Sequence, residues 1–229
     1  MKFDKKFTLM ELVGHKIKKQ FIPLMSKRNC SKLNNTDFTI ISNNCWGGIC
    51  YEYFGLPKNS PTVGTYIYAE DYIKLISNLR YYMELDIKMI DANEANHYED
   101  LKNANHLDAP VGQLDDVEIV FLHYKDKDIA KDKWQRRVER INWNNLIFKF
   151  SYMCKCSDQQ IEDFTRISGI KKFCFVPKEF DDMTDLIIHP SRINSMSDLG
   201  DDTFEFNRYI NVIELINKPQ TGMDGFYLK

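Results

Sequence analysis

The residues with the most chemistry in this sequence cluster in one short run, Ile41-Ser42-Asn43-Asn44-Cys45-Trp46-Gly47-Gly48. Two Asn followed by paired Gly allow positive-φ backbone, close approach of a ligand and outward-pointing amides. Such a turn suits a phosphate or an array of sugar hydroxyls, with Ser42, Asn43, Asn44, Trp46, Gly47 and Gly48 as ligand-binding candidates. It lacks the Gly-Lys-Ser/Thr ending of a nucleotide-binding P-loop and the G-x-G-x-x-G of a dinucleotide site. The competing reading is a tight strand-to-helix turn with Trp46 closing the core. Cys45 qualifies as a nucleophile because a helix N-terminus favours the thiolate, but the sequence assigns it no base. His123 is the candidate general acid or base. Arg137 can neutralise a phosphate and Trp143 can stack on a ring, within a run Lys133–Asn144 that holds three Arg and two Trp. A solvated basic face with an apolar stripe of Trp134, Val138 and Ile141 is the simpler reading of that run for each Arg taken singly. Asp115, Asp116 and Glu118 could hold a divalent cation, yet they fall at the start of a strand, and a structural or salt-bridging role fits them better. Cys154-Lys155-Cys156 has no second close pair to complete a zinc tetrahedron, so no metal site is assigned, and no cofactor is identified.

Positioning these residues requires strands that end together. Phe38–Ser42, Asp116–Tyr124, Leu146–Phe150 and Lys172–Val176 read as strands, and Ile87–Ile90 and Asp185–Ile188 as weaker ones. Helical spacing covers Ala69–Met83, Asp126–Ile141, Ser157–Ser168 with Ser157 as cap, and Phe204–Ile216. The alternation predicts an α/β fold with a mostly parallel sheet, a Rossmann-like three-layer α/β/α arrangement. Ligands of such sheets bind beyond the carboxyl ends of the strands. That rule selects Ser42, Asn43, Asn44, His123, Tyr124, Ser151 and His189 as one rim, provided their strands run parallel. Residues 91–113 are polar and aperiodic and read as a long loop.

The chain of 229 residues, 43% apolar, suffices for one large core, and no linker divides it. Residues 34–229 read as a single α/β domain. Residues 1–33 carry nine Lys or Arg against two acids, a net of +7 that leaves −9 for the remainder. Phe3, Phe7, Met10, Ile17, Phe21 and Leu24 recur there at helical spacing. This predicts a basic amphipathic helix packed on or beside the domain, able to make peripheral contact with an anionic membrane or a partner. An overall charge of −2 gives no reason to expect a nucleic-acid partner. Six scattered cysteines, with neither a bilayer-length apolar run nor a signal-like N-terminus, place the chain in the cytoplasm, peripheral at most to the inner face of the membrane.

Taken together, Ile41–Gly48, Gly55-Leu56-Pro57 through Ser60–Gly64, Asp71–Lys74, Phe121-Leu122-His123-Tyr124, Lys133–Arg137 and Arg140–Trp143 resemble an uncharacterised bacterial family labelled as exopolysaccharide biosynthesis proteins, classed as a domain of unknown function. The resemblance spans about residues 38–190. It implies a cytosolic role in making capsule or secreted polysaccharide, and it carries over no catalytic residues. Two functions follow as expectations. One is a transferase or modifying enzyme acting on a nucleotide-activated or lipid-linked sugar. The other is a non-catalytic binding or scaffolding component docked through residues 1–33.

Overall fold

The structure is a computed structural model that describes residues 25–152, 156–167, 171–176, 187–188 and 210–218. The predicted helix over 1–33 lies mostly outside the described residues; its end, α1, is helical over 25–30. His189 and the segment 191–209 also lie outside them.

Two sheets share the molecule. In the first, β1 (Thr39–Ser42), β5 (Leu146–Ser151), β6 (Lys171–Phe175) and β7 (Ile187–Ile188) run parallel in the order β1-β5-β6-β7. β1, β5 and β6 are mostly apolar and buried along nearly their whole length, because both of their faces are covered. Ile40, Ile147, Phe173 and Phe175 pack with Trp46, Tyr51 and Phe54 of α2 (Trp46–Phe54) and with Val212 and Ile216 of α8 (Val212–Asn217). Ile41, Phe148, Phe150 and Cys174 pack on the opposite face with Tyr72 and Leu75 of α3 (Ala69–Ser77), Trp134 of α6 (Lys127–Val138), and Ile161 and Phe164 of α7 (Asp158–Arg166). Period-two alternation produces this division. Ser157 caps α7 in a full capping box with Gln160, as the sequence indicates.

The second sheet departs from expectation. β4 (Val117–Val120) does not join the parallel sheet; it pairs antiparallel with β3 (Val111–Leu114), which pairs antiparallel with β2 (Lys88–Ile90). A two-residue turn at Asp115-Asp116 closes the β3–β4 hairpin, with Asp115 at φ +53°. The stretch 91–113, read as a loop, therefore contains a 3-10 turn (Ala92–Glu94), α5 (Tyr98–Asn103) and β3. The predicted helix over 69–83 is two, α3 and α4 (Leu79–Glu84), separated at Asn78. The acids at the hairpin have structural tasks. Tyr81 and Tyr82 donate to Asp115 and Asp116 at 2.8 Å each, and Glu118, buried, accepts the amides of Asn96 and His97.

One segment joins the sheets. Tyr66 and Val120 exchange backbone hydrogen bonds at 2.8 and 2.9 Å, while the Ile67 amide donates to the Asn43 carbonyl at 2.9 Å. The carboxyl end of β4 is thereby brought against the carboxyl end of β1.

Candidate active site

β1 ends in a loop whose polar atoms are largely engaged in building it. Asn43 bonds twice to the backbone of Ser151, donating to its carbonyl and accepting from its amide at 3.0 Å each. The Asn44 carboxamide oxygen accepts from the Trp46 amide at 3.1 Å, which supplies α2 with the N-terminal acceptor that Cys45 itself does not provide. The Ser42 hydroxyl donates to the Asn44 carbonyl at 2.8 Å. Lys149, fully buried on the α2 side of β5, donates to the same Asn44 oxygen at 2.8 Å and to the Ser151 hydroxyl, and its ammonium sits 5.4 Å from the Phe175 ring centre. A buried ammonium is costly unless bonded, so this network fixes the loop firmly. Ser42, Asn43 and Asn44 are accordingly framework residues, each less than a tenth exposed.

The paired glycines are not positive-φ turn residues. Gly47 and Gly48 form the first turn of α2, and their reason for lacking a side chain is packing. A Cβ on Gly47 would stand 3.1 Å from Ile40 Cγ2, and one on Gly48 would stand 3.0 Å from Val63 Cγ1. α2 thus lies directly on β1 and on the segment after Pro61, with its first-turn amides at the sheet edge. Trp46 is wholly buried, edge-on to Phe173 at 5.1 Å, and offers no ring face to a ligand. Trp143 lies before β5, at the opposite border, with the Arg80 guanidinium 4.3 Å over its ring. The structure does not bring either Trp into the site: Trp46 is wholly buried, and Trp143, half-buried, lies at the other end of the parallel strands.

It does bring Cys45 and His123 together. The half-buried Cys45 immediately precedes α2, and its Sγ is 3.1 Å from Nε2 of the exposed His123. That separation permits direct proton exchange between thiol and imidazole. His123 reaches the edge from the antiparallel sheet, three residues past β4. Its amide donates to the Gly64 carbonyl at 3.3 Å, and among the described residues no side chain bonds its Nδ1.

Tyr124 and Arg137 complete the corner. The Tyr124 hydroxyl donates to the Val63 carbonyl at 2.5 Å; Arg137 Nη1 donates to the same carbonyl at 3.0 Å and to the Tyr124 oxygen. Burial raises the Tyr124 phenol above its ordinary range despite the opposing guanidinium, so it remains a donor. Lys133 stands 5.6 Å from the same ring. The partners described for the half-buried Arg137 are neutral oxygens, which leaves its charge uncompensated by any described carboxylate. The arrangement holds a thiol and an imidazole in contact, with two cations gathered on the neighbouring Tyr124. Among the described residues no cluster of His, Cys, Asp and Glu could hold a metal ion, and no helix is long and apolar enough to cross a membrane.

The family described as domain of unknown function (DUF1919) matches residues 16–217. A protein of Haemophilus influenzae described as uncharacterized is 28% identical over 149 residues, 65% of this chain. The match spans 66% of that relative's own length, just under two thirds.

Proposed function

The chain belongs to the DUF1919 family, and we propose that it is an enzyme of covalent group transfer with Cys45 as nucleophile and His123 as its base. The single observation that carries this reading is the 3.1 Å approach of Sγ to Nε2 at a sheet edge where ligands of α/β proteins bind. His123 takes the thiol proton, and the thiolate faces the first turn of α2, whose amides have no acceptor within the helix.

The reaction that fits is acyl transfer. The thiolate attacks the carbonyl carbon of an ester, the ester C–O bond breaks, and the leaving hydroxyl takes the proton from the His123 imidazolium. The resulting thioester on Cys45 is then attacked by water or an acceptor hydroxyl, which gives its proton to His123 as the C–S bond breaks. The amides of Gly47 and Gly48, in the first turn of α2 and without acceptors within the helix, are assigned as the donors to the oxyanion in both halves.

Arg137 and Lys133 favour a substrate with an anionic group, as a nucleotide-activated or lipid-linked sugar has in its phosphates. The resemblance in sequence motifs adds a place in capsule or exopolysaccharide synthesis, so the enzyme is a modifying transferase of an activated sugar. A Rossmann-like three-layer reading of the parallel half, supported by the apolar clusters on its two faces, belongs to the same proposal. So do a cytoplasmic setting and peripheral membrane contact through residues 1–33, which deletion of those residues would abolish in fractionation.

The test is trapping. The protein is incubated with p-nitrophenyl acetate and with an O-acetylated nucleotide sugar, quenched in acid and mapped by mass spectrometry. An acetyl adduct on Cys45, lost in Cys45→Ser, is expected. Turnover by Cys45→Ala at the native rate would remove the thiol from the mechanism.

A further inference from the structure

A thiol–imidazole pair usually has a third group that orients the imidazole, often a carboxylate or amide side chain on the far nitrogen. None stands on Nδ1 of His123 among the described residues. The residue is exposed and follows β4 by three positions, so its own packing does not hold it. Among the described residues, what ties His123 to the half of the molecule that carries the thiol is its backbone, through the amide bonded to the Gly64 carbonyl.

We infer that Tyr124 and Arg137 are positioning residues for the Cys45–His123 pair, acting through the Val63-Gly64 backbone. This rests on the dyad reading above and extends it. The segment from Thr62 to Ile67 touches both halves. On the Cys45 side, the Thr62 hydroxyl accepts the Ser42 amide at 3.1 Å, Val63 packs on the Cα of Gly48, and the Ile67 amide bonds Asn43. On the His123 side, the Gly64 carbonyl accepts the His123 amide and Tyr66 pairs with Val120. Both Tyr124 and Arg137 close on the Val63 carbonyl, one peptide before the carbonyl that holds His123. Gly64 makes the closure sterically feasible. At φ +78° it occupies backbone that side chains disfavour, and a Cβ there would stand 3.0 Å from the Tyr124 ring and 3.5 Å from the His123 Cβ. The Tyr124 ring lies on the bare glycine, edge-on to Phe121 at 5.1 Å. The imidazole is therefore oriented by its backbone, and the backbone by a phenol and a guanidinium.

The experiment reads thiol–imidazole coupling with a neutral probe, so that an anion-binding role of Arg137 does not enter. Cys45 alkylation by iodoacetamide is followed from pH 5 to 9 by peptide mass spectrometry, with Cys30 as internal reference, alongside thermal melts. In the native protein, the contact with the imidazole is expected to extend Cys45 reactivity to acidic pH. Tyr124→Phe keeps the ring and loses the hydroxyl; Arg137→Gln loses both bonds to the corner. Each is expected to slow acidic-side alkylation on the order of ten-fold, since displacements of about an ångström at a reacting pair have effects up to about a hundred-fold. His123→Ala is expected to remove the acidic shoulder, and Tyr124→Phe added to it should change nothing further. Folded Tyr124→Phe and Arg137→Gln proteins with the native profile would overturn this inference and leave the dyad standing. An equal further loss from Tyr124→Phe in the His123→Ala background would overturn it too, by showing that the hydroxyl acts without the imidazole. A native profile in His123→Ala would overturn the dyad and this inference together.

Discussion

Two histidines of the antiparallel half differ in every respect that matters to chemistry. His123 is exposed, bonds the protein through its backbone amide, and presents Nε2 to a thiol at 3.1 Å. His97 is mostly covered, stacks on Tyr68 with ring centres 3.9 Å apart, and presents Nε2 to the buried carboxylate of Asp71 at 2.7 Å. Its amide, with that of Asn96, bonds the buried Glu118. Burial pulls the His97 imidazole down, but the hydrogen bond and charge of Asp71, with Glu118 and Asp100 behind it, outweigh burial and raise it above 6.5. The partner decides the role. A carboxylate fixes charge on an imidazole and ties α5 to α3, whereas a thiol leaves the imidazole free to exchange a proton.

The contrast breaks cleanly under substitution. His123→Ala should lower group-transfer turnover by roughly 10²–10⁴-fold, the usual worth of a general base, while unfolding free energy stays within about 0.5 kcal/mol. His97→Ala should do the reverse. It leaves Asp71 buried without its partner and is expected to cost about 3 kcal/mol, with Cys45 alkylation unchanged. Ester turnover, Cys45 alkylation and urea titration on both variants check these outcomes. A His97→Ala protein of native stability but slowed alkylation would erase the distinction.

A milder perturbation sharpens it by entering through the antiparallel sheet. A Cβ on Gly112 of β3 would stand 2.4 Å from Ile87 Cδ1 and 2.9 Å from Phe121 Cε2. Phe121 leans on Tyr124, and Tyr124 on Gly64. Gly112→Ala should cost about 1–3 kcal/mol by overpacking. It should also slow alkylation of Cys45, by less than His123→Ala does, because the strain reaches the dyad only through two rings. Native alkylation in a destabilised Gly112→Ala would show that the sheet and the dyad are mechanically separate.

The sequence exposes this arrangement unevenly, for physical reasons. β1, β5 and β6 are short runs dominated by apolar residues because they are covered on both faces, and such runs are legible without neighbours even with a lysine in β5 and two opening β6. The β3–β4 hairpin is not, because Gly112-Gln113 dilutes β3 and the short α5 precedes it. A signal was there: apolar residues on both sides of Asp115-Asp116 fit a two-residue hairpin turn. Reading it would have moved His123 off the parallel sheet without moving it from the site. Cys45 and His123 were each legible as reactive side chains, and the rim rule put His123 beside the Ser42–Asn44 loop; the route was not legible, since it runs not through a parallel strand but through Tyr66, Ile67 and Val120, whose bonds are backbone bonds with no side-chain signature. Lys149 was hidden for a similar reason. A lysine inside Leu146–Ser151 reads as the exposed position of a strand, and only the polar end of the Asn43-Asn44 loop makes its burial tolerable.

The smallest expected effect is on pH dependence, and it isolates the carboxylate-bound histidine. Because the folded state holds His97 with a raised pKa, the stabilising contribution of its charge is complete below about 6.5, where the imidazole of the unfolded chain is also protonated. As pH rises above 6.5 the unfolded state releases its proton first, and the contribution fades until the folded imidazole has titrated as well. Above that point the pair is a neutral imidazole on a carboxylate, and only the hydrogen bond remains. His97→Gln retains a hydrogen-bonding group but no titration. The stability gap between native protein and His97→Gln, taken from urea midpoints at pH 5.5, 6.5, 7.5 and 8.5, should therefore be widest at the acidic end and narrow as pH rises. A gap that widens with pH would mean that burial prevails over Asp71, and the contrast between the two imidazoles would then rest on packing alone.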